Sequence, residues 1–313
     1  MIKLKVCVVI VTYNRLELLK RTLQALFSQS YPIEQIIIID NASTDGTDEY
    51  LILLKYLNVN NIFYKKLAEN LGGAGGFQVG VELAHKTCCD WVWLMDDDGY
   101  PSDQCLSQLL FYCNDFDFYG PLVLDDQTQE ILSFPINYKK YNIHFQTNTQ
   151  LKKFTQEENE NILENVLIPF NGVLLKRNLI DKIGVPQAKF FIWGDDMEYT
   201  YRAQLANARI GTISDIYFYH PTAPNLGTKM FFGRMQFNDT DSQIKLYCLC
   251  RNNTNNLKNY RSAIHALAFI AKTYWFYLFT KPSWSKLKFV HAALWAGWRG
   301  NFNQHRSFIG KVF

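Results

Sequence analysis

Apolar positions along the first hundred residues alternate between two spacings. Residues 6–11 form an unbroken apolar run of strand length, and residues 15–29 then show helical spacing through Leu18, Leu19, Thr22, Leu23 and Leu26. The alternation repeats. Residues 35–39 are a second strand, closing on Asp40 and a turn-rich segment to Gly46, and a helix through Tyr50, Leu51 and Leu54 follows. Residues 61–64 are a third strand, a glycine-rich loop leads into a helix over 77–85, and a fourth strand over 91–95 ends in three aspartates. Buried strands alternating with helices predict an α/β fold with a mostly parallel, twisted sheet flanked by helices.

The middle of the chain is less regular. It predicts a strand over 117–124, a hairpin or irregular insert over 131–146, and a polar loop or exposed helix over 152–165. A strand over 166–175 then leads to a short helix ending at Gly184. A short strand over 190–193, a helix over 195–206 and one or two strands over 210–220 complete this part. From about residue 240 the pattern is helical, over 246–258, 263–280 and 283–298, with Pro282 breaking the chain between the last two. The expected organisation is an α/β domain over 1–240 and a C-terminal α-helical appendage over 241–313.

Charge sharpens that division. The net charge of +3 over 313 residues argues against a dedicated nucleic-acid binder. Residues 242–313, however, hold eleven Lys and Arg and no acid, so they are +11. The first 241 residues, with 32 − 11 = 21 basic and 29 acidic side chains, are −8. Four of the seven tryptophans (Trp275, Trp284, Trp295, Trp298) lie in that basic tail. Lys and Arg near an anionic bilayer gain about 1 kcal/mol each, and Trp and Tyr settle at its interface. The tail is therefore expected to dock on an anionic membrane surface. No stretch reaches 18 uncharged apolar residues, since Lys272 interrupts the nearest, 266–279. Residues 1–5 run straight into a strand without a signal-peptide pattern. Seven cysteines with no C-x-x-C read as reduced, cytosolic thiols.

Three segments carry candidate chemistry. Asp96, Asp97 and Asp98 follow the fourth strand, at the carboxyl end where open α/β sheets bind ligands. In an extended segment Asp96 and Asp98 face one way and Asp97 the other, and two carboxylates on one side suit Mg²⁺ or Mn²⁺. A solvated acidic turn capping the next helix is the other reading. Asp195 with Glu198 three residues on is capping-box-like. Asp196 then lies in a first helical turn, where the positive helix end favours its ionised form, as a general base needs. Residues 70–77, Asn-Leu-Gly-Gly-Ala-Gly-Gly-Phe, would let backbone approach a phosphate or sugar, or are simply a flexible loop. His220 ends a strand-like run and by itself is an ordinary hydrogen-bonded histidine.

Taken in order, residues 8–14 (Val-Val-Ile-Val-Thr-Tyr-Asn), Asp40, the three aspartates and the later Gly194-Asp195-Asp196 resemble a GT-A (Rossmann-like) glycosyltransferase of family 2. Residues 70–77, Trp193 through Tyr199, His220 and residues 247–252 (Tyr-Cys-Leu-Cys-Arg-Asn) resemble its bacterial galactofuranosyltransferase branch. Gly194 separates Trp193 from the aspartate pair, which the family tryptophan usually adjoins. The resemblance implies that Thr12, Asp40, Asn70, Asp96 and Asp97 contact the nucleotide of a UDP-sugar. It implies that Asp96, Asp98 and His220 hold a divalent metal, Mn²⁺ or Mg²⁺, on the diphosphate. Gly72, Gly73, Trp193, Asp195 and Glu198 would line the sugar or acceptor site, and Asp196 would be the base.

The reaction so implied is a single displacement that inverts the anomeric centre. It would move galactofuranose to a hydroxyl of a surface-polysaccharide precursor, such as O-antigen or capsule. A lipid-linked acceptor fits an enzyme peripheral to the cytoplasmic face of the bacterial inner membrane. Another donor, such as dTDP-rhamnose or UDP-galactopyranose, stays open, as does an inactive sugar-nucleotide-binding scaffold subunit. Sequence leaves the oligomeric state open too.

Overall fold

Every residue of the first strand, β1 (Val6–Thr12), is buried, as a strand covered by helices on both faces requires. The structure, a computed structural model, describes residues 3–56, 61–166, 169–222 and 227–313. It forms two compact units, Met1–Pro186 with Arg202–Thr222, and Gln187–Tyr201 with Ala223–Phe313. The second unit thus takes residues 187–201 as well as the C-terminal helices, and starts earlier in the chain than residue 241.

In the first unit β1 is followed by α1 (Leu16–Phe27), β2 (Gln35–Asp40), α2 (Thr47–Tyr56), β3 (Ile62–Lys66), α3 (Gly72–Lys86) and β4 (Trp91–Asp96). Next come β5 (Tyr100–Pro101), α4 (Cys105–Leu109), β6 (Phe118–Asp125), β7 (Ile131–Tyr138), β8 (Ile143–Thr147), α5 (Asn148–Glu158), β9 (Ile162–Glu164), β10 (Asn171–Lys176) and α6 (Arg177–Ile183). The last strand of this unit is β11 (Ile210–His220). The sheet order is β3-β2-β1-β4-β10-β6-β11-β5. β3, β2, β1 and β4 run parallel. β10 is antiparallel to both neighbours, so β6 and β11, parallel to each other, run with β1 again. The sheet is therefore mostly parallel, as expected. Strand order reverses at β1, with β2 on one side and β4 on the other. The crevice beyond the carboxyl ends of β1 and β4 is where such a sheet binds ligands.

Several elements depart from the hydrophobic pattern. The expected glycine-rich loop is the beginning of α3. Asn70 Oδ1 accepts from Gly72 N at 2.7 Å, and Asn41 brackets the start, accepting from Leu71 N and donating to Gly72 O, both at 3.2 Å. A Cβ on Gly76 would lie 2.4 Å from Val11, and one on Gly80 2.3 Å from Val9. These glycines let α3 approach β1, a tertiary demand that local sequence does not separate from loop flexibility. The polar segment expected as loop or exposed helix contains α5, which opens on a capping box between Thr147 and Gln150, and β9. The strand expected from 166 begins at Asn171, with residues 167 and 168 outside the described ones. Residues 131–146 are the hairpin of β7 and β8.

The second unit contains the start of α7 (Asp195–Leu205), the hairpin β12 (Thr228–Met230) and β13 (Met235–Phe237), and helices α8 (Gln243–Asn256), α9 (Ala263–Trp275) and α10 (Trp284–Arg299). Short π-turns, Leu257–Arg261 and Phe276–Thr280, end α8 and α9. Its core gathers Leu246, Tyr247, Phe276, Tyr277, Val290 and Leu294. Asp239 accepts from Tyr277 Oη at 2.8 Å, Lys281 Nζ at 2.6 Å and the buried Lys286 Nζ at 2.9 Å. Arg251 is buried as well. Part of the tail's positive charge is thus committed inside the unit. Among the described residues no helix is long and apolar enough to cross a membrane.

Candidate active site

The polar ends of β1, β2 and β4 converge because the strands are in parallel register, Thr12 beside Asp40 and Val11 beside Asp96. Asp40 is buried. Its Oδ1 accepts from Ser43 N at 2.8 Å and its Oδ2 from Tyr64 Oη at 3.0 Å. β4 ends at Asp96, and Asp97 and Asp98 form a turn. The turn breaks the strand alternation expected of the three aspartates. Asp97, expected to point away, is the buried one. It accepts from Thr12 Oγ1 at 2.7 Å and Tyr13 N at 3.3 Å. Burial pushes its carboxyl up to about 6, against the opposing pull of Arg15 and Thr12. Thr22, on the buried face of α1, fastens the turn from below, its Oγ1 lying 3.0 Å from Asp97 O and 2.8 Å from Gly99 O. Asn70 and Gly72 meet at the start of α3, and a Cβ on the neighbouring Gly73 would meet no atom within 4 Å.

His220, at the end of β11, lies with Nε2 3.2 Å from Asp98 Oδ1. Burial alone would raise the Asp98 carboxyl, but His220 and Arg15 outweigh it and hold the group below the usual carboxylate range. His220 Nδ1, the ring nitrogen that does not face Asp98, is buried without a hydrogen-bond partner, a cost that a bound ligand would relieve. Carboxylate oxygen with imidazole nitrogen is a donor pair fit for Mn²⁺ or Mg²⁺. The fit stops at two ligands. Among the described residues no three His, Cys, Asp or Glu side chains are gathered closely enough to hold an ion. Among the described residues Asp96 is therefore not gathered with Asp98 and His220 into the three-ligand set that the resemblance implies.

Arg15, one residue beyond the motif over 8–14, belongs to none of the motifs read from the sequence. Its Nη1 donates to Asp97 Oδ1 at 3.2 Å and to Asp98 Oδ2 at 2.6 Å. It is the cation that lets two neighbouring carboxylates stand together here. The available signal is a basic residue just past a buried strand, in a chain that places three aspartates after another strand.

In the second unit, residues 187–194 lead into α7. The expected strand over 190–193 is instead a 3₁₀ turn, Ala188–Phe190, followed by left-handed backbone at Phe191 (φ 66°), Trp193 (φ 60°) and Gly194 (φ 91°). Left-handed φ is costly for bulky residues, about 1–3 kcal/mol each, unless the surroundings impose it. Trp193 is 37% exposed. Asp195 and Glu198 are buried. Glu198 Oε1 accepts from Tyr260 Oη at 2.6 Å and Gln187 Nε2 at 2.9 Å. Asp196 Oδ1 accepts from Met197 N at 2.7 Å in the first turn of α7. Burial raises both carboxyls, and in Asp195 the neighbouring Asp196 charge adds to it. Asp196 itself is half-buried, in the first turn of α7.

A sheet of order 3-2-1-4 with Thr12, Asp40 and Asp97 at its carboxyl ends defines an α/β protein with a ligand crevice at the switch point. The family model Glycosyl transferase family 2 matches residues 7–183. The chain belongs to that family and is a glycosyltransferase. It is 29% identical over 250 residues to galactofuranosyltransferase GlfT1 of Mycolicibacterium smegmatis, covering 79% of this chain and 81% of that one. It is 30% identical over 250 residues to galactofuranosyltransferase GlfT1 of Mycobacterium tuberculosis, covering 78% and 79%. Among solved structures, S. aureus TarS 1–349 in complex with UDP-GlcNAc superposes with a TM-score of 0.59 at 19% identity, over 96% of this chain and 81% of that one. GalNAc-T7 with UDP, GalNAc and Mn²⁺ gives 0.56 at 14% identity, over 88% and 57%. At these identities the two structures share the fold with this chain.

Proposed function

We propose that the chain transfers galactofuranose from UDP-galactofuranose, with inversion, to a hydroxyl of a lipid-linked precursor of a bacterial surface polysaccharide. The observation that carries the donor is the identity of 29–30% to galactofuranosyltransferases across about four-fifths of the chain. Thr12, Asp40, Asn70, Asp96 and Asp97 receive the nucleotide. Gly72, Gly73, Trp193, Asp195 and Glu198 line the sugar and acceptor side. Asp98 and His220 would hold Mn²⁺ or Mg²⁺, which when bound supplies positive charge to the departing diphosphate. Asp196 takes the proton from the acceptor hydroxyl as its oxygen attacks the anomeric carbon and UDP leaves. One in-line displacement inverts that carbon, and no covalent enzyme intermediate is needed.

The C-terminal helices dock on the cytoplasmic face of the bacterial inner membrane. What supports this is exposed aromatic surface, Trp284 at 75% and Phe279 at 64%, beside the exposed Lys288, Arg299 and Lys311.

A panel of sugar nucleotides assayed for transfer, with and without Mn²⁺ or Mg²⁺, tests the reading. Metal-dependent use of UDP-galactofuranose alone is the expected result. Turnover of dTDP-rhamnose or UDP-galactopyranose instead overturns the donor and keeps the reaction class.

A further inference from the structure

One face of α8 directs its donors at a single short stretch of main chain. Asn252 Nδ2 lies 3.0 Å from Phe190 O, 3.0 Å from Ile192 O and 2.6 Å from Trp193 O. One helical turn on, Asn256 Nδ2 donates to Gly194 O at 2.7 Å. Arg251 Nη2 donates to Phe190 O at 2.8 Å and lies 3.3 Å from Lys189 O. Arg251 Nε donates to Asn252 Oδ1 at 2.8 Å, which fixes the carboxamide with its NH₂ toward the carbonyls. All three side chains are buried. A Cβ on Gly194 would stand 3.2 Å from Asn252 Cβ, so the bend lies directly against α8.

The targets are carbonyls of Phe190, Ile192, Trp193 and Gly194, in the segment with left-handed turns at Phe191, Trp193 and Gly194 immediately before Asp195 and Asp196. A fastening that served stability alone would be met by apolar packing or by one hydrogen bond. Here buried amide and guanidinium donors are spent on four of five successive residues, where bulky side chains hold φ near +60°. Because the contacts are to backbone, they set the path of the segment whatever side chains it carries.

We propose that Arg251, Asn252 and Asn256 are positioning residues. They impose the backbone path over 190–194, and through it the direction in which Trp193 and the base Asp196 face the acceptor. The inference rests on the proposed role of Asp196.

The test uses the full chain with Asn256→Asp, Asn256→Ala and Asn252→Asp; the Asp variants keep shape and lose the donor. Hydrogen–deuterium exchange over 189–197 reads the hold on the backbone without reference to activity. Faster exchange there is expected, with UDP affinity in the presence of Mn²⁺ unchanged by calorimetry. The kcat should fall by at least about tenfold while the donor KM stays within about twofold, and the acid limb of the pH–rate profile should move. Asn256→Gln, which keeps a donor, should restore part of the loss. If Asn252→Asp does not fold, the Asn256 variants carry the test. Folded Asn256 variants with unchanged exchange overturn the proposal. So do faster exchange with wild-type kcat and pH profile, and a kcat loss matched by loss of UDP binding. Asp196→Asn is assayed alongside. Normal turnover in that variant overturns the base assignment and with it the aim of the clamp, whereas the exchange data still judge its hold.

Discussion

Two carboxylates do opposite things within a few residues of each other. Asp97 is buried and raised; Asp98, beside His220 and Arg15, is held low. Asp196 lies in a different unit, and its burial sets the pH behaviour of the reaction proposed for it. A base must be ionised to accept a proton. With its pKa raised, transfer falls as the pH drops through a value above the ordinary carboxylate range. A kcat/KM profile against pH reads that limb directly; an acid limb at or below about 4 contradicts it. Asp196→Asn should lower transfer by about 10²–10⁴-fold while leaving UDP binding, measured by calorimetry, within about twofold. At this scale the sequence singles out the acidic segments because three aspartates stand together at a strand end, whereas His220 enters only through the family resemblance. Arg15 is not singled out, because a single arginine carries no pattern until the fold brings it to Asp97 and Asp98.

At the scale of elements, α3 shows how one composition serves two ends. Sequence reading makes residues 70–76 a loop, yet the helix starts at Gly72, and Gly76 and Gly80 are there for contact with β1. Gly80→Val forces a side chain into Val9 and should cost about 1–3 kcal/mol or more in urea unfolding, as overpacking does. Gly73→Ala, with open space around it, should be neutral or stabilise by about 0.5–1 kcal/mol. A matching loss of transfer in that variant would support Gly73 at the sugar. Equal destabilisation by both changes contradicts this packing account. The 190–193 segment is not the expected strand for a related reason. Its apolar residues have strand composition, but their carbonyls are bonded by the donors of α8 rather than by a neighbouring strand.

Over the whole molecule, charge asymmetry is legible from composition, but its use is not. Arg251 and Lys286 count toward the +11 of the tail and are buried inside the second unit, and the exposed Lys281 is paired with Asp239. Only the exposed remainder is available to lipid. Replacing Lys288, Arg299 and Lys311 by Glu should therefore abolish flotation with phosphatidylserine or cardiolipin vesicles at low salt, with thermal stability nearly unchanged. Persistence of flotation contradicts the docking surface. Lys286→Met, by contrast, removes two ion pairs from a buried cation site and should lower stability with little effect on vesicle binding.

Local pattern by itself determined the alternating strands and helices, the parallel half of the sheet, the acidic strand ends and the basic aromatic tail. Each of these follows from periodicity or charge within a short window. The tertiary structure alone decided that Asp97 rather than Asp96 turns into the core, and that Arg15 and Thr22 hold the aspartate turn. It also decided that glycines pack a helix onto a strand, and that residues 187–201 join the C-terminal helices. Those outcomes depend on partners far along the chain, whose approach is set by packing and hydrogen-bond satisfaction rather than by neighbouring residues.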